Sequence, residues 1–316
     1  MCLHPSLQRF REEAQPLLAQ IEEKREAVVV PVFYSMSRFI ASPDVDVIYD
    51  ALRSIGPQPK IDVIIFSAGG TPDQAYIIGA MFQEFAKQKL VVMVPRYAKS
   101  AATLLVCAAD EILMLPPSEL GPIDPVVESP EIKRPIPVLS LLELLDMIGK
   151  MPKPLIPGLT TISDVIEKML SKVPIAEFGD YARLTDHMIS LAEMLLSRRM
   201  FHDNPNDAKT IAENLCKRYK AHSAAITLVD AKELGLKLID APKELQDAIW
   251  SLHKLWVDTV IEYENDFPEG ASLEAVNFNV GRGAVFCTRP VEGRTTSAST
   301  KTEAETENEK VGRPSV

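Results

Sequence analysis

Apolar and polar residues alternate between two periods along the first 116 positions. VVVPVFYS (28–35) is a continuous apolar run of strand length, VDVIYDALRSI (45–55) carries its apolar residues at helical spacing, and KIDVIIFSAGG (60–70) is a second apolar run ending in a glycine turn. The pattern continues with PDQAYIIGAMFQEFAKQK (72–89) as a helix, LVVMVPRYA (90–98) as a strand, SAATLLVCAAD (100–110) as a helix and EILMLP (111–116) as a short strand. Strands that are apolar throughout are buried on both faces. The alternation therefore predicts an α/β fold with mostly parallel strands layered against helices.

Beyond residue 138 the period becomes that of helices. SLLELLDMIGK (140–150), TISDVIEKMLSK (161–172) and YARLTDHMISLAEMLLSRRM (181–200) all place apolar residues three and four apart, as does PNDAKTIAENLCKRY from Pro205. DAKELGLKLID (230–240) reads as a helical turn stopped by Gly235 and followed by a short strand, and residues 241–266 form a last long helix. Ahead of everything, residues 6–26 form an amphipathic helix with a charged face. These patterns divide the chain into an N-terminal helical extension (1–27), one main domain (28–288) and a polar, apolar-poor tail (289–316) expected to be disordered.

Composition narrows the function classes. The chain has 316 residues, enough for a large core, and a net charge of −10 with no basic stripe, which argues against a nucleic-acid partner. Four scattered cysteines (Cys2, Cys107, Cys216, Cys287) form no CxxC pair, the pattern of a reduced, cytoplasmic chain rather than of a disulfide or zinc site. The N-terminus lacks the basic and apolar regions of a secretory signal, and no apolar run is long enough for a membrane span.

Three stretches carry candidate chemistry. SAGG (Ser67–Gly70) ends a core strand just ahead of a helix, where two glycines allow a sharp turn and leave amides open to a negatively charged group. It is either a simple strand-to-helix turn or part of an anion hole; GxGxxG and GxxxxGK[ST] are both absent. Ser100 stands between a strand and an alanine-rich helix, flanked at two residues' distance by Ala98 and Ala102. It is either a helix N-cap or a nucleophile on a tight turn, which needs small neighbours. SELGPIDP (118–125) is a rigid turn in which Asp124 is fixed between Pro122 and Pro125.

Taken in order, SAGG, a serine opening an Ala-rich helix, and LGPIDP resemble the Clp/crotonase superfamily. Within it the chain is similar to the serine dehydrogenase proteinase (SDH) family, related to signal-peptide peptidase A and ClpP. The resemblance covers about residues 28–127, with a second patch, HSAAITLVDAKELGL (222–236). It implies a Clp-fold serine endopeptidase acting on a peptide or protein, with Ser100 as nucleophile and the amides of Gly70 and Ala101 as oxyanion hole. It implies no metal or organic cofactor, and it implies a homo-oligomer.

The base departs from the ClpP pattern. Where ClpP-type enzymes carry a histidine, 24 residues beyond the serine, this chain has Asp124; close to where they carry the acid it has His222. The two have exchanged places, and a Ser100–His222–Asp124 triad is the expectation, since triads are defined by geometry rather than chain order. A lysine base, as in signal-peptide peptidase relatives, would be Lys133; Lys99 is adjacent to the serine and points away. Two other readings stay open: a Clp-fold scaffold or adaptor without turnover, and crotonase-like acyl-CoA chemistry, for which the chain has no phosphate-binding cluster.

Overall fold

Six consecutive apolar residues, Val28–Phe33, form the first strand (β1), buried from its second residue onward. The computed structural model describes residues 5–35, 38–128, 135–138, 143, 150, 175–266, 271–279 and 283–290. The helices expected at 140–150 and 161–172 fall almost entirely outside these residues, as does the tail from 291. The first half runs α1 (Pro5–Arg25), β1, α2 (Ser42–Ile55), β2 (Gln58–Phe66), α3 (Pro72–Phe85), β3 (Ala86–Val94), β4 (Tyr97–Ala98), α4 (Ala101–Val106), β5 (Glu111–Met114), β6 (Glu119–Leu120), β7 (Val126–Glu128) and β8 (Pro135–Pro137). The second runs α5 (Ile175–Arg198), α6 (Pro205–Lys217), β9 (Ile226–Thr227), α7 (Leu228–Glu233), β10 (Leu238–Ile239), α8 (Lys243–Asp266), β11 (Ala271–Asn279) and β12 (Gly283–Pro290).

The main sheet has the order β10-β5-β3-β2-β1-β11-β12. Every pair from β10 to β1 is parallel, and β11 and β12 add an antiparallel edge. The expected α/β architecture is thus present, with helices dominating the second half. Successive strand residues face opposite ways, and each face has its own core. Val30, Val32, Val63, Ile65, Val92 and Val94 pack with α2 to α6. Val29, Phe33, Ile64, Phe66, Val91 and Met93 pack with α1 and α8. Trp256 of α8 is fully buried between Phe10 and Phe33, and its indole N–H donates to Tyr34 O (3.1 Å). At the end of α1, Arg25 donates to the buried Asp62 carboxylate of β2 (2.6 Å), tying that helix to the sheet.

Three boundaries move because tertiary pairing overrides local pattern, and one hairpin is added. The helix expected to reach residue 89 stops at Phe85, because Ala86 pairs with Gln58 and starts β3. The strand expected at 90–98 splits at Pro95-Arg96 into β3 and the separate β4. The helix expected at 100–110 ends at Val106, and Asp110 instead joins the sheet by exchanging hydrogen bonds with Leu90 (2.7 and 2.8 Å). The β11–β12 hairpin is an addition to the expected elements.

Two stability measurements follow. Trp256→Ala removes a fully buried indole together with its hydrogen bond to Tyr34 O, and it should cost about 3–5 kcal/mol in urea unfolding. His253 of α8 is buried against the rings of Phe66 (4.6 Å) and Trp250 (5.1 Å), and its Nδ1 has no hydrogen-bond partner among the described residues. Burial, reinforced by Lys254 and Arg96, pushes its pKa down to about 4. The unfolded chain accepts that proton near 6.5 and the folded chain resists it. The stability contributed by the neutral ring is therefore complete above about pH 6.5 and lost as the pH falls towards 4. His253→Phe should flatten the pH dependence of unfolding across that window by on the order of 3 kcal/mol. An unchanged slope would mean the ring takes up its proton in the folded state at no cost.

Candidate active site

The parallel strands end on one edge of the sheet, where open α/β folds place their ligands. Beyond β2, the Ser67 hydroxyl accepts from Gly69 N–H (3.1 Å) and closes a tight turn, with Gly69 at φ 112 and Gly70 at φ 145. Beyond β4 comes Ser100, at φ 50 and ψ −120. A left-handed φ costs a non-glycine residue about 1–3 kcal/mol and persists only where its surroundings enforce it. The enforcement is visible. A β-carbon on Gly69 would lie 2.8 Å from Lys99 O and 2.9 Å from Ser100 Cβ; one on Gly121 would lie 2.8 Å from Lys99 Cδ and 3.3 Å from Ser100 N. The serine turn fits between two residues that have no side chain, and Ala98 and Ala102, both fully buried, keep its strand and helix close.

Ser100 occupies the N-cap position of α4, yet its side chain makes no capping hydrogen bond. Among the described residues its hydroxyl, half-buried, hydrogen-bonds to none. Two amides nearby are also uncommitted. Ile40 N–H donates to Gly69 O and Thr71 N–H to Ile40 O (both 2.8 Å), a parallel bridge that leaves the Gly70 N–H pointing the other way. Ala101 is the first residue of its helix, and its N–H likewise donates to no backbone carbonyl among the described residues.

The other half of the site is the exchanged pair. His222 Nδ1 lies 2.8 Å from Asp124 Oδ1, with Asp124 buried and His222 partly open. A carboxylate only accepts hydrogen bonds, so Nδ1 carries the ring proton and Nε2 is left as an acceptor. Asp124 is held by its turn: Ile123 N–H donates to Leu215 O of α6 (3.1 Å), and Gly121 N–H donates to the Thr103 hydroxyl (3.0 Å), which itself donates to Ala98 O (2.6 Å). A small second sheet, β4-β6-β9, brings the turns together, with Ala98 opposite Leu120 and Leu120 opposite Ile226. Among the described residues no hydrogen bond joins His222 to Ser100.

The remaining candidates separate clearly. Lys133 lies outside the described residues. Lys99 Nζ is engaged by Glu119 Oε2 (2.7 Å), Leu120 O and Ala224 O (3.2 Å each). His187 is exposed and paired with Asp73 (2.9 Å), and His202 is exposed beside Asp203. Cys107 and Cys216 are buried, their thiols pushed up to about 12 by burial, with the Asp124 carboxylate adding to the rise at Cys216. No group of three potential metal ligands occurs among the described residues, and no helix there is long and apolar enough to cross a membrane. The sequence marks Ser67 as the start of SAGG without its hydrogen bond to Gly69, and it marks neither Thr103 nor Ile40. Ser67 had a signal, a serine two residues before the first turn glycine; Thr103 and Ile40 had none.

Comparison with known proteins gives these similarities. Residues 13–262 match the family described as ClpP-like SDH-type serine proteinase. Two uncharacterized proteins of Methanocaldococcus jannaschii are 26% and 24% identical, over 76% and 77% of this chain and 72% and 78% of theirs. Among solved structures, a 1510-N membrane-bound stomatin-specific protease mutant in complex with a substrate peptide aligns with 15% identity and a TM-score of 0.41, covering 89% of this chain and 98% of that one. ClpP1 from Listeria monocytogenes aligns with 14% identity and a TM-score of 0.37, covering 72% and 99%.

The glycine pair is open to a direct check. A side chain at Gly70 would collide with the backbone of Ile40, and one at Gly69 with the serine turn. Gly70→Ala should therefore cost at least about 1–3 kcal/mol in unfolding free energy, as should Gly69→Ala. Variants as stable as wild type would show that the bridge and the turn relax freely.

Proposed function

The chain belongs to the ClpP-like SDH-type serine proteinase family, and on that premise we propose that it is a serine endopeptidase in which Ser100, His222 and Asp124 form the triad. Ser100 Oγ attacks the carbonyl carbon of a peptide or protein substrate while His222 Nε2 takes the hydroxyl proton. Asp124 holds the ring in the tautomer this requires and stabilises the imidazolium that results. The N–H groups of Gly70 and Ala101 hydrogen-bond to the oxyanion of the tetrahedral intermediate. The imidazolium then gives its proton to the leaving amine, and water releases the acyl group from Ser100 by the same steps. On this reading the site needs no metal and no organic cofactor. Exposed Ile77, Leu184 and Met194 on α3 and α5 support a homo-oligomer, and the cysteine pattern supports a cytoplasmic one.

The observation that carries the reading is the state of Ser100. A serine at a helix N-cap position ordinarily caps; this one is held at φ 50 against a glycine with its hydroxyl uncommitted. The open Ser100–His222 gap is compatible with turnover, because catalytic hydrogen bonds are often long without substrate. The same gap is the observation that favours the alternative, a Clp-fold scaffold or adaptor.

A fluorophosphonate probe separates the two. Wild type should label on a single serine, and Ser100→Ala should not label at all. His222→Ala should slow labelling by on the order of 10³-fold or more, because triad members act as a unit, while Lys133→Ala should change it little. No labelling of correctly folded wild type would favour the scaffold. Loss of labelling in Lys133→Ala, with His222→Ala active, would assign the base to the lysine instead.

A further inference from the structure

We infer that Lys99 is a positioning residue, whose ammonium fixes the loop carrying His222 against the turn carrying Ser100. The inference rests on the assignment of Ser100, His222 and Asp124 proposed above. Lys99 Nζ lies 2.7 Å from Glu119 Oε2, 3.2 Å from Leu120 O and 3.2 Å from Ala224 O. An ammonium has three N–H donors and no acceptor, so these contacts use its whole capacity. It is a donor here, not a base.

The three acceptors lie on two separate segments. Glu119 and Leu120 lead through Gly121 to Asp124, and Ala224 follows His222 by two residues. The Lys99 backbone is fixed as well: its N–H donates to Ser67 O (3.0 Å) and its carbonyl accepts from Ala102 N–H (2.8 Å). Its methylenes cross Gly121, where a β-carbon would meet Cδ at 2.8 Å. One residue therefore contacts the SAGG turn, the serine turn, the aspartate turn and the histidine loop.

The histidine loop has few other holds. Among the described residues, apart from the local bond from Ala224 N–H to Ala221 O (2.9 Å), the hydrogen bonds joining residues 222–224 to distant segments are His222 to Asp124 and Lys99 to Ala224. A ring tethered at Asp124 alone could swing about that bond; a second anchor two residues away limits the swing. Glu119 completes the device. It also accepts from Arg96 (2.6 Å). Desolvation pushes its pKa up, but the hydrogen bonds and charges of Lys99 and Arg96 outweigh this and hold it below the ordinary glutamate value. The carboxylate facing the ammonium is thus kept ionised.

Lys99→Met keeps most of the length and an apolar δ atom against Gly121 and removes all three donors. Two readouts are taken on the full chain: amide hydrogen exchange across 222–225, and the rate of Ser100 labelling by a fluorophosphonate. Exchange at 222–225 should rise about tenfold or more with the main sheet unchanged. Labelling should slow by roughly 10- to 100-fold, the cost of a misplacement of about 1 Å. If Lys99→Met does not fold, Lys99→Gln, with two N–H donors in place of three, should shift both readouts the same way by less. Unchanged exchange at 222–225, exchange raised uniformly through the sheet, or labelling at the wild-type rate would each overturn the role of Lys99. Wild type that never labels would instead overturn the peptidase assignment, and the exchange measurement would still decide whether Lys99 holds the loop.

Discussion

Close backbone approach at two glycines is the constraint on which the site depends. The serine turn lies against Gly69 on one side and Gly121 on the other, so near that a β-carbon on either would overlap it. Ser100 is held at a φ that few residues adopt because there is no room for its backbone to relax. The same turn geometry leaves the serine hydroxyl without a capping partner and the neighbouring amides without carbonyl acceptors. Among the described residues the Ser100 hydroxyl and the Gly70 and Ala101 N–H groups are left without a partner, and these are the groups the proposed mechanism uses.

Beneath this point the sheet supplies rigidity from both faces. The C-terminal halves of β2 and β3, like β1, are apolar on both faces because helices lie above and below, α1 and α8 on one side and the remaining helices on the other. That pattern made the strands, their order in the chain and the α/β class legible in the residues alone. Boundaries were less legible, because they were set by pairing at a distance. Ala86 left its helix for a partner in β2, and Asp110 left its helix for Leu90. Neither choice leaves a trace in local periodicity. The short strands β6 and β9 were invisible for the same reason: two residues have no period.

Legibility of the site followed the same division. Ser67–Gly70, Ser100 and Gly121–Pro125 lie on turns whose residue types are dictated by backbone geometry, so glycine, proline and small residues marked them. The exchanged histidine and aspartate were suggested by the spacing of the resemblance, and the chain does bring them to 2.8 Å. Whether the ring reaches Ser100 depends on side-chain placement across three segments, which no linear pattern encodes. The supporting groups were hidden for a different reason. Thr103 and Lys99 act through hydrogen bonds to backbone carbonyls and amides, and a carbonyl offers the same acceptor whatever its residue.

The small β4-β6-β9 sheet has a consequence for how the molecule comes into being. Its three strands are two residues long, and the Asp124–His222 bond closes over a sequence separation of 98, the Lys99–Ala224 bond over 125. The parallel pairs among β1, β2, β3 and β5 close over far shorter stretches, such as Val30 with Val63. Loop closure grows costlier with span, and contacts of long sequence separation are slow to form. A chain emerging from denaturant is therefore expected to regain the central strands β1, β2, β3 and β5 before it regains a paired histidine.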